Sequence, residues 1–262
     1  MKKISTALAS LAVLSACQPA AQAPTAANEE AAVSASTIAE AMPTVPDFSG
    51  AWTTYRGAPA AAGAFSAPPG GPKLTAVAQA AVADYKSVTE GTDYSPGNAC
   101  VGGGMPSSML GSGGYPMEII QRPDQLFVIY EAHSEMRRMF IDDKAQDPSQ
   151  FFPERNGYST AHWEGDRLIV DTVNLKTQVD SRYPHSAQAT IHEEYYFDAP
   201  QPDGTPVLAA DLTLTDPVWL EEPFTTTKRW QAMADNTVLE LDTDLEYVVG
   251  ETYCFTVRGG DM

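Results

Sequence analysis

Residues able to do acid, base or metal chemistry are few in this chain of 262 residues, and their spacing limits what they can do together. Three of the four histidines stand two positions from a carboxylate: Glu131 with His133, His162 with Glu164, and His192 with Glu194. On a strand, that spacing puts both side chains on one face. Two such pairs turned inward from neighbouring strands would supply the nitrogen and oxygen ligands of zinc, manganese or iron. Turned outward, they are ordinary cross-strand polar partners. The fourth, His185, falls in the segment Ser181-Arg182-Tyr183-Pro184-His185-Ser186, a loop in which a polar ring can face a cavity. With Glu131 or Glu193 beside it, and Arg137 or Arg138 to hold an anionic group, His185 suits proton transfer to and from a carbonyl compound, hydration or elimination. Consecutive strand residues face opposite ways, so at most one of Arg137 and Arg138 points inward. The outward one is expected to pair with surface acids.

Other chemistries lack their motifs. There is no H-E-x-x-H, no C-x-x-C and no glycine-rich phosphate loop followed by a basic residue, so no metal or nucleotide cofactor is expected. No G-x-S-x-G elbow occurs, and Ser107, Ser108 and Ser112 lie in a loop with no evident base beside them. Aromatic residues open a different route. Phe127, Tyr130, Tyr183, Tyr195, Tyr196, Trp219, Phe224 and Trp230 either line a cavity for a flat, apolar ligand or fill a core, and Tyr130, Tyr183, Tyr195 and Trp163 are the ligand-contact candidates.

The elements that must position these groups are mostly strands. A first strand is expected within Pro46 to Tyr55, around Trp52, and a helix from Ala76 to Thr89, capped by Thr75, with Val77, Ala81 and Tyr85 on its apolar face. The glycine-rich stretch from Gly91 to Pro116 is too long for a plain connector and reads as a lid or rim. A meander follows: Met117 to Gln121, Gln125 to Glu131, Glu135 to Ile141, Thr160 to Glu164, Arg167 to Val173, Ala189 to Phe197, Val207 to Thr215, Thr225 to Ala232 and Val238 to Leu241. Pro123-Asp124, Gly165-Asp166 and Pro202-Asp203-Gly204 supply turn chemistry between them. Strands such as Leu126 to Tyr130 are apolar on both faces, which a covered sheet or a closed barrel accommodates. The expected fold is therefore mainly β: an antiparallel, lipocalin-like barrel with one short N-terminal helix and a long glycine-rich loop, occupying residues 46–262 as one domain.

The N-terminus has a different character. Lys2 and Lys3 precede an apolar run from Ile4 to Ala16, shorter than the roughly 20 residues a helix needs to cross a bilayer and shaped like a secretory signal. Leu14-Ser15-Ala16-Cys17 resembles the lipobox of bacterial lipoproteins. That resemblance implies a signal peptide over 1–16, acyl chains on Cys17 that hold the protein to a bilayer, and a periplasm-facing envelope location. Gln18 after the cysteine favours the outer membrane. Residues 17–45, rich in Ala, Pro and Ser, read as a tether that cannot bury enough surface to fold. With Cys17 lipidated, Cys100 and Cys254 remain as an even pair in an oxidising compartment and are expected to be joined as a disulfide, the alternative being two buried thiols. The balance of 34 acidic against 16 basic residues, net −18, repels phosphates and disfavours nucleic acid as a partner. Oligomeric state is not encoded in any pattern here.

Two further resemblances extend into the domain. Gly50-Ala51-Trp52 is similar to the G-x-W that opens lipocalin barrels, where the tryptophan plugs one end. More extensively, Cys100 through Met105-Pro106, Tyr115 to Gln121, Glu131, Arg137-Arg138, Trp163 to Thr172, Pro184-His185-Ser186 and Thr215-Asp216-Pro217 resemble a group of exported bacterial proteins carrying W-E-G-D-x-L-x-V-D-T and P-H-S, a group without an established activity. That resemblance covers residues 46 to 250 and implies a fold and a compartment but no reaction. Members often place histidine where this chain has Thr190 and arginine where it has His162, so neither group serves a chemistry common to all; His185 keeps the pattern. Three functions stay open: a lipid-anchored barrel binding a small apolar or aromatic molecule in its cavity, a cofactor-independent lyase, isomerase or hydrolase using His185, or an envelope-assembly lipoprotein with a filled core and an exposed apolar patch.

Overall fold

A computed structural model describes residues 45–55, 71–90, 101–111, 114–179, 182–235 and 237–239. Nine strands, Gly50–Thr54 (β1), Met117–Arg122 (β2), Gln125–Tyr130 (β3), Glu135–Ile141 (β4), Tyr158–Glu164 (β5), Arg167–Val173 (β6), Thr190–Asp198 (β7), Val207–Thr215 (β8) and Phe224–Ala232 (β9), close into one barrel in chain order. Alternation fills it: Leu126, Val128 and Tyr130 of β3, Leu168, Val170 and Thr172 of β6, and Leu208, Ala210, Leu212 and Leu214 of β8 are all buried inward. Pro123-Asp124 and Gly165-Asp166 make two-residue turns, and Gly165 takes the positive φ of 64° that such a turn demands.

Closure with an odd number of strands has a consequence. Directions alternating around a closed ring require an even count, so nine strands need a parallel seam. It falls between β4 and β5, whose register is Met139↔Ser159, Phe140↔Thr160 and Ile141↔Ala161. The other seams, including the closing pair β1·β9, are antiparallel. A parallel pair needs a crossover of a dozen residues or more, and residues 142–157 provide it. They return over the outer wall of the barrel through short 3-10 turns at Asp142–Lys144 and Pro148–Gln150. The uniformly antiparallel barrel expected from the sequence is corrected at this one seam.

The two mouths are closed differently. At one, Phe48 lies against Trp163 and Phe197 at 5.5 and 5.1 Å, and Trp52 donates from Nε1 to the Phe48 carbonyl at 2.9 Å. At the other, the described part of the glycine-rich loop tucks in as a plug: helix α2, Ser107–Leu110, brings Met109 into the core beside Met105. Met105 to Met109 of the loop thus belong to the interior, while Val101 and Tyr115 are exposed.

Helix α1, Ala76–Thr89, has the expected bounds, with Thr75 accepting from the Ala78 amide at 3.4 Å. Its buried residue is Ala78, not Val77, which is 62% exposed. Two further expectations are corrected. Glu131 and His133 lie in a turn after β3, with His133 at φ 61°, and Val238 and Leu239 are not in a strand. No helix among the described residues is long and apolar enough to cross a membrane. The segments expected to be a signal peptide and a tether, through residue 44, and Cys17, Cys100 and Cys254, expected to be lipidated or paired, lie outside the described residues.

Candidate functional site

Four strands bring one polar network into the barrel lumen. Arg137 on β4 donates from Nη1 to Glu193 Oε1 on β7 at 2.9 Å and from Nη2 to Glu193 Oε2, an ion pair whose members are 1% and 0% exposed. The remaining donors reach Thr172 Oγ1 at 2.8 Å and Ser159 Oγ at 3.1–3.2 Å, on β6 and β5. Tyr195 donates its hydroxyl to Glu193 Oε1 at 2.9 Å. Burial opposes the Arg137 charge, but the adjoining Glu193 carboxylate outweighs it and holds the guanidinium above its ordinary pKa. Burial, reinforced by Glu193, pushes the Tyr195 hydroxyl well above its ordinary value. Two residues expected in a catalytic site, Arg137 and Glu193, thus do converge. Their hydrogen-bonding capacity is spent on each other and on three hydroxyls, which makes an interlock of four strands rather than an open catalytic centre.

His185 occupies a different place from the one its candidate role required. Its Nδ1 lies 3.1 Å from the Ser186 carbonyl and its Nε2 3.1 Å from the Met105 carbonyl, with the residue fully buried. The expected carboxylate partner, Glu131 or Glu193, is replaced by main-chain oxygen. Burial lowers its pKa against the pull of those two carbonyls. His185 thus fastens the plug, and the neighbouring residues brace it. Asp216 accepts from the Ser186 amide and hydroxyl at 2.6 and 2.9 Å and from the Val218 and Trp219 amides at 2.9 and 3.1 Å. Those donors outweigh burial and keep the Asp216 carboxyl below its ordinary pKa. The P-H-S and T-D-P segments, far apart in sequence, are one joint.

A base does stand beside one of the loop serines. Ser108 donates to Glu135, whose carboxylate also accepts from the Gly104 amide at 3.1 Å and from Asn156 Nδ2 at 3.0 Å. Gly104, at φ 64°, has no room for a side chain: a Cβ there would lie 2.5 Å from the Arg155 carbonyl and 2.6 Å from Gln178 Nε2. Ser107 Oγ, Asn156 Oδ1 and Gln178 Oε1, all around this loop, are buried without a protein partner.

The ligand-contact candidates disperse through the core. Tyr130 and Tyr195 point their hydroxyls at the plug sulfurs of Met105 and Met109, at 3.9 and 3.7 Å. Tyr183 packs on Phe224, and Trp163 on Phe48. The histidine–carboxylate pairs face outward: His162 meets Glu164 at 3.1 Å, and His192 meets Asp171 at 2.8 Å and Glu194 at 3.8 Å. No group of three or more potential metal ligands gathers among the described residues.

Among the described residues, open space is found on the outer wall at two places: beside His192, Glu194 and Asp211, where the lining is mostly polar, and at the parallel seam, where it is aromatic. Pairing of β4 with β5 begins only at Met139, and the crossover arches beside the unpaired half of β4. Between them is a cavity of about 430 Å³, lined among others by Met136, Arg138, Phe140, Phe151, Phe152 and Tyr158. Its wall is a ladder of near-parallel rings: Phe140 to Tyr158 at 5.1 Å and Tyr158 to Phe151 at 4.5 Å. The crossover is tied down where Gln146 donates its amide to the Tyr158 hydroxyl at 2.7 Å and Glu154 donates its amide to the Asn174 carbonyl at 3.1 Å. Phe152 is 90% exposed at the edge of this space. A volume of this size falls in the range that holds a small organic ligand. None of the lining rings was a candidate from sequence. The available signal was the length of 142–157 between two strands, which excludes a hairpin, together with Phe151-Phe152 inside an otherwise polar, Pro-flanked segment.

The fold and these sites define a closed β-barrel whose described residues pack side chains into the lumen and leave a groove on the outer wall. No protein-family model matches the chain, and no curated protein aligns with it significantly.

Proposed function

We propose that this chain is an envelope lipoprotein, held to the bilayer through acyl chains on Cys17, whose barrel binds a small apolar or aromatic molecule in the groove at the β4·β5 seam. The observation that carries the binding role is that groove: about 430 Å³ of space walled by the Phe140, Tyr158 and Phe151 ladder, with Phe152 standing in solvent beside it. An exposed aromatic ring forgoes roughly 1.5–3 kcal/mol of burial, and a ligand seated on the ladder would recover part of it. Lumen binding has less support, because Arg137, Tyr195, Met105 and Met109 fill that space. The anchor rests on the order Lys2-Lys3, apolar run, Leu14-Ser15-Ala16-Cys17.

The test uses the full-length chain and the neutral fluorescent probe N-phenyl-1-naphthylamine. One saturable site is expected, weakened at least tenfold by Tyr158→Ala combined with Phe152→Ser and unchanged by Tyr130→Phe in the lumen. Binding indifferent to the groove pair would reject the site. The filled lumen and the exposed Met136 and Phe152 also suit the envelope-assembly reading, which gains if no small probe binds.

A further inference from the structure

We propose that the groove selects planar aromatic anions, of which an arene carboxylate is the simplest, and that Arg138 is the residue that binds their charge. This rests on the groove being the ligand site. Arg138 projects from the outward row of β4, between Met136 and Phe140, and lines the cavity with them. Its guanidinium carbon sits 5.3 Å from the centre of the Phe127 ring and 5.2 Å from that of Phe140. The Arg138 side chain makes no hydrogen bond among the described residues, so its N–H groups remain available to grip a carboxylate with two parallel hydrogen bonds while the rings hold the guanidinium in place.

The surface acids expected to neutralise the outward arginine do not. Elsewhere on this acidic surface, Lys73 pairs with Glu222, Lys144 with Asp124, Arg167 with Glu194 and Arg229 with Asp198. Arg138 forms no ion pair among the described residues. Arg122, 5.9 Å from the same Phe127 ring, forms no ion pair among the described residues either, so this wall carries two unpaired cations in a chain of net charge −18, whose summed field would otherwise repel an anion. Glu154, the acid that also lines the groove, makes no ion pair with Arg138 either, so it leaves the cation free and disfavours a carboxylate on its own side. Phe140 joins the two halves of the site, since the ring under the guanidinium is also the first rung of the ladder through Tyr158 to Phe151. A ligand whose ring lies along the ladder and whose carboxylate turns to Arg138 uses both halves at once.

The experiment titrates the full-length chain at low ionic strength with 2-naphthoate and with its neutral counterpart 2-naphthalenemethanol, reading Kd by calorimetry. The expected result is at least tenfold tighter binding of the naphthoate. Arg138→Gln should erase that preference by weakening the naphthoate at least tenfold more than the alcohol, Arg138→Lys should restore part of it, and 0.5 M salt should compress it. Equal binding of the two probes, or a preference that survives Arg138→Gln, would overturn the anion assignment and leave the groove standing. Binding of neither probe would overturn both.

Discussion

Arg137 and Arg138 are neighbours in sequence and opposites in circumstance. One points into the lumen, where a bidentate carboxylate and three hydroxyls meet its donors. The other lies on the outer wall against two aromatic rings, with its edge directed at no described acid. Strand alternation alone separates them. The lesson is that a conspicuous cluster of charged groups at the centre of a barrel can be wholly structural, because every group in it is already satisfied. The arginine on the surface, with no described protein partner for its side-chain donors, is the one proposed above to bind a ligand. Satisfaction of hydrogen-bonding capacity, more than burial or charge count, distinguishes the two.

The sharpest way to break the comparison is to unpair the interior. Glu193→Gln removes the carboxylate from a buried guanidinium and should cost about 3–5 kcal/mol in urea unfolding, whereas Arg138→Ala should stay within about 0.5 kcal/mol of the parent. If the two variants cost the same, the lumen network is not the interlock described here. A smaller effect is expected at Gly157, which holds a φ of 65° where a Cβ would lie 2.6 Å from the Val173 carbonyl and 2.7 Å from Thr172 Cγ2. Gly157→Ala should destabilise by about 1–3 kcal/mol and also weaken probe binding, because the strain falls on the crossover that walls the groove. Loss of stability with unchanged probe affinity would detach the groove from the crossover.

The smallest effect is expected at the plug. Burial lowers the His185 pKa, so the folded protein binds fewer protons than the unfolded chain below about pH 6.5, the ordinary histidine value. The contribution of neutral His185 is therefore fully present above that pH and is lost as pH falls toward the lowered folded pKa. Unfolding free energies measured at pH 7.5 and 5.5 should diverge less in His185→Gln than in the parent. An unaltered difference would mean that other groups set the acid sensitivity.

Much of this molecule is legible in its residues. The Thr75 cap, the bounds of the helix and eight strands of the meander and first strand follow from period, caps and turns, and β5 begins at Tyr158, two residues before its expected start. Alternation also implies that Arg137 and Arg138 part company. Strand direction is another matter, since a period of two is the same in parallel and antiparallel pairs, and only the length of 142–157 marks the crossover. The fate of His185 was hidden for a related reason: its partners are main-chain carbonyls, one of them 80 residues away, and no side-chain pattern encodes a backbone oxygen. The groove rings share no pattern in the sequence because they come from three separate pieces of chain that the parallel seam brings together.

The closing seam sets a schedule for folding. Strand β1 is laid between β2 and β9, so Trp52 faces Met117 on one side and Ala232 on the other. Every segment from β2 to β9 can pair with a neighbour already made, but the first strand completes the ring only when the last has been delivered. In a chain delivered from its N-terminus, one edge of β1 stays unpaired until β9 arrives, and such long-range pairings form slowly. Whatever keeps that edge from meeting another copy in the interval is as much a condition of obtaining this barrel as any contact inside it.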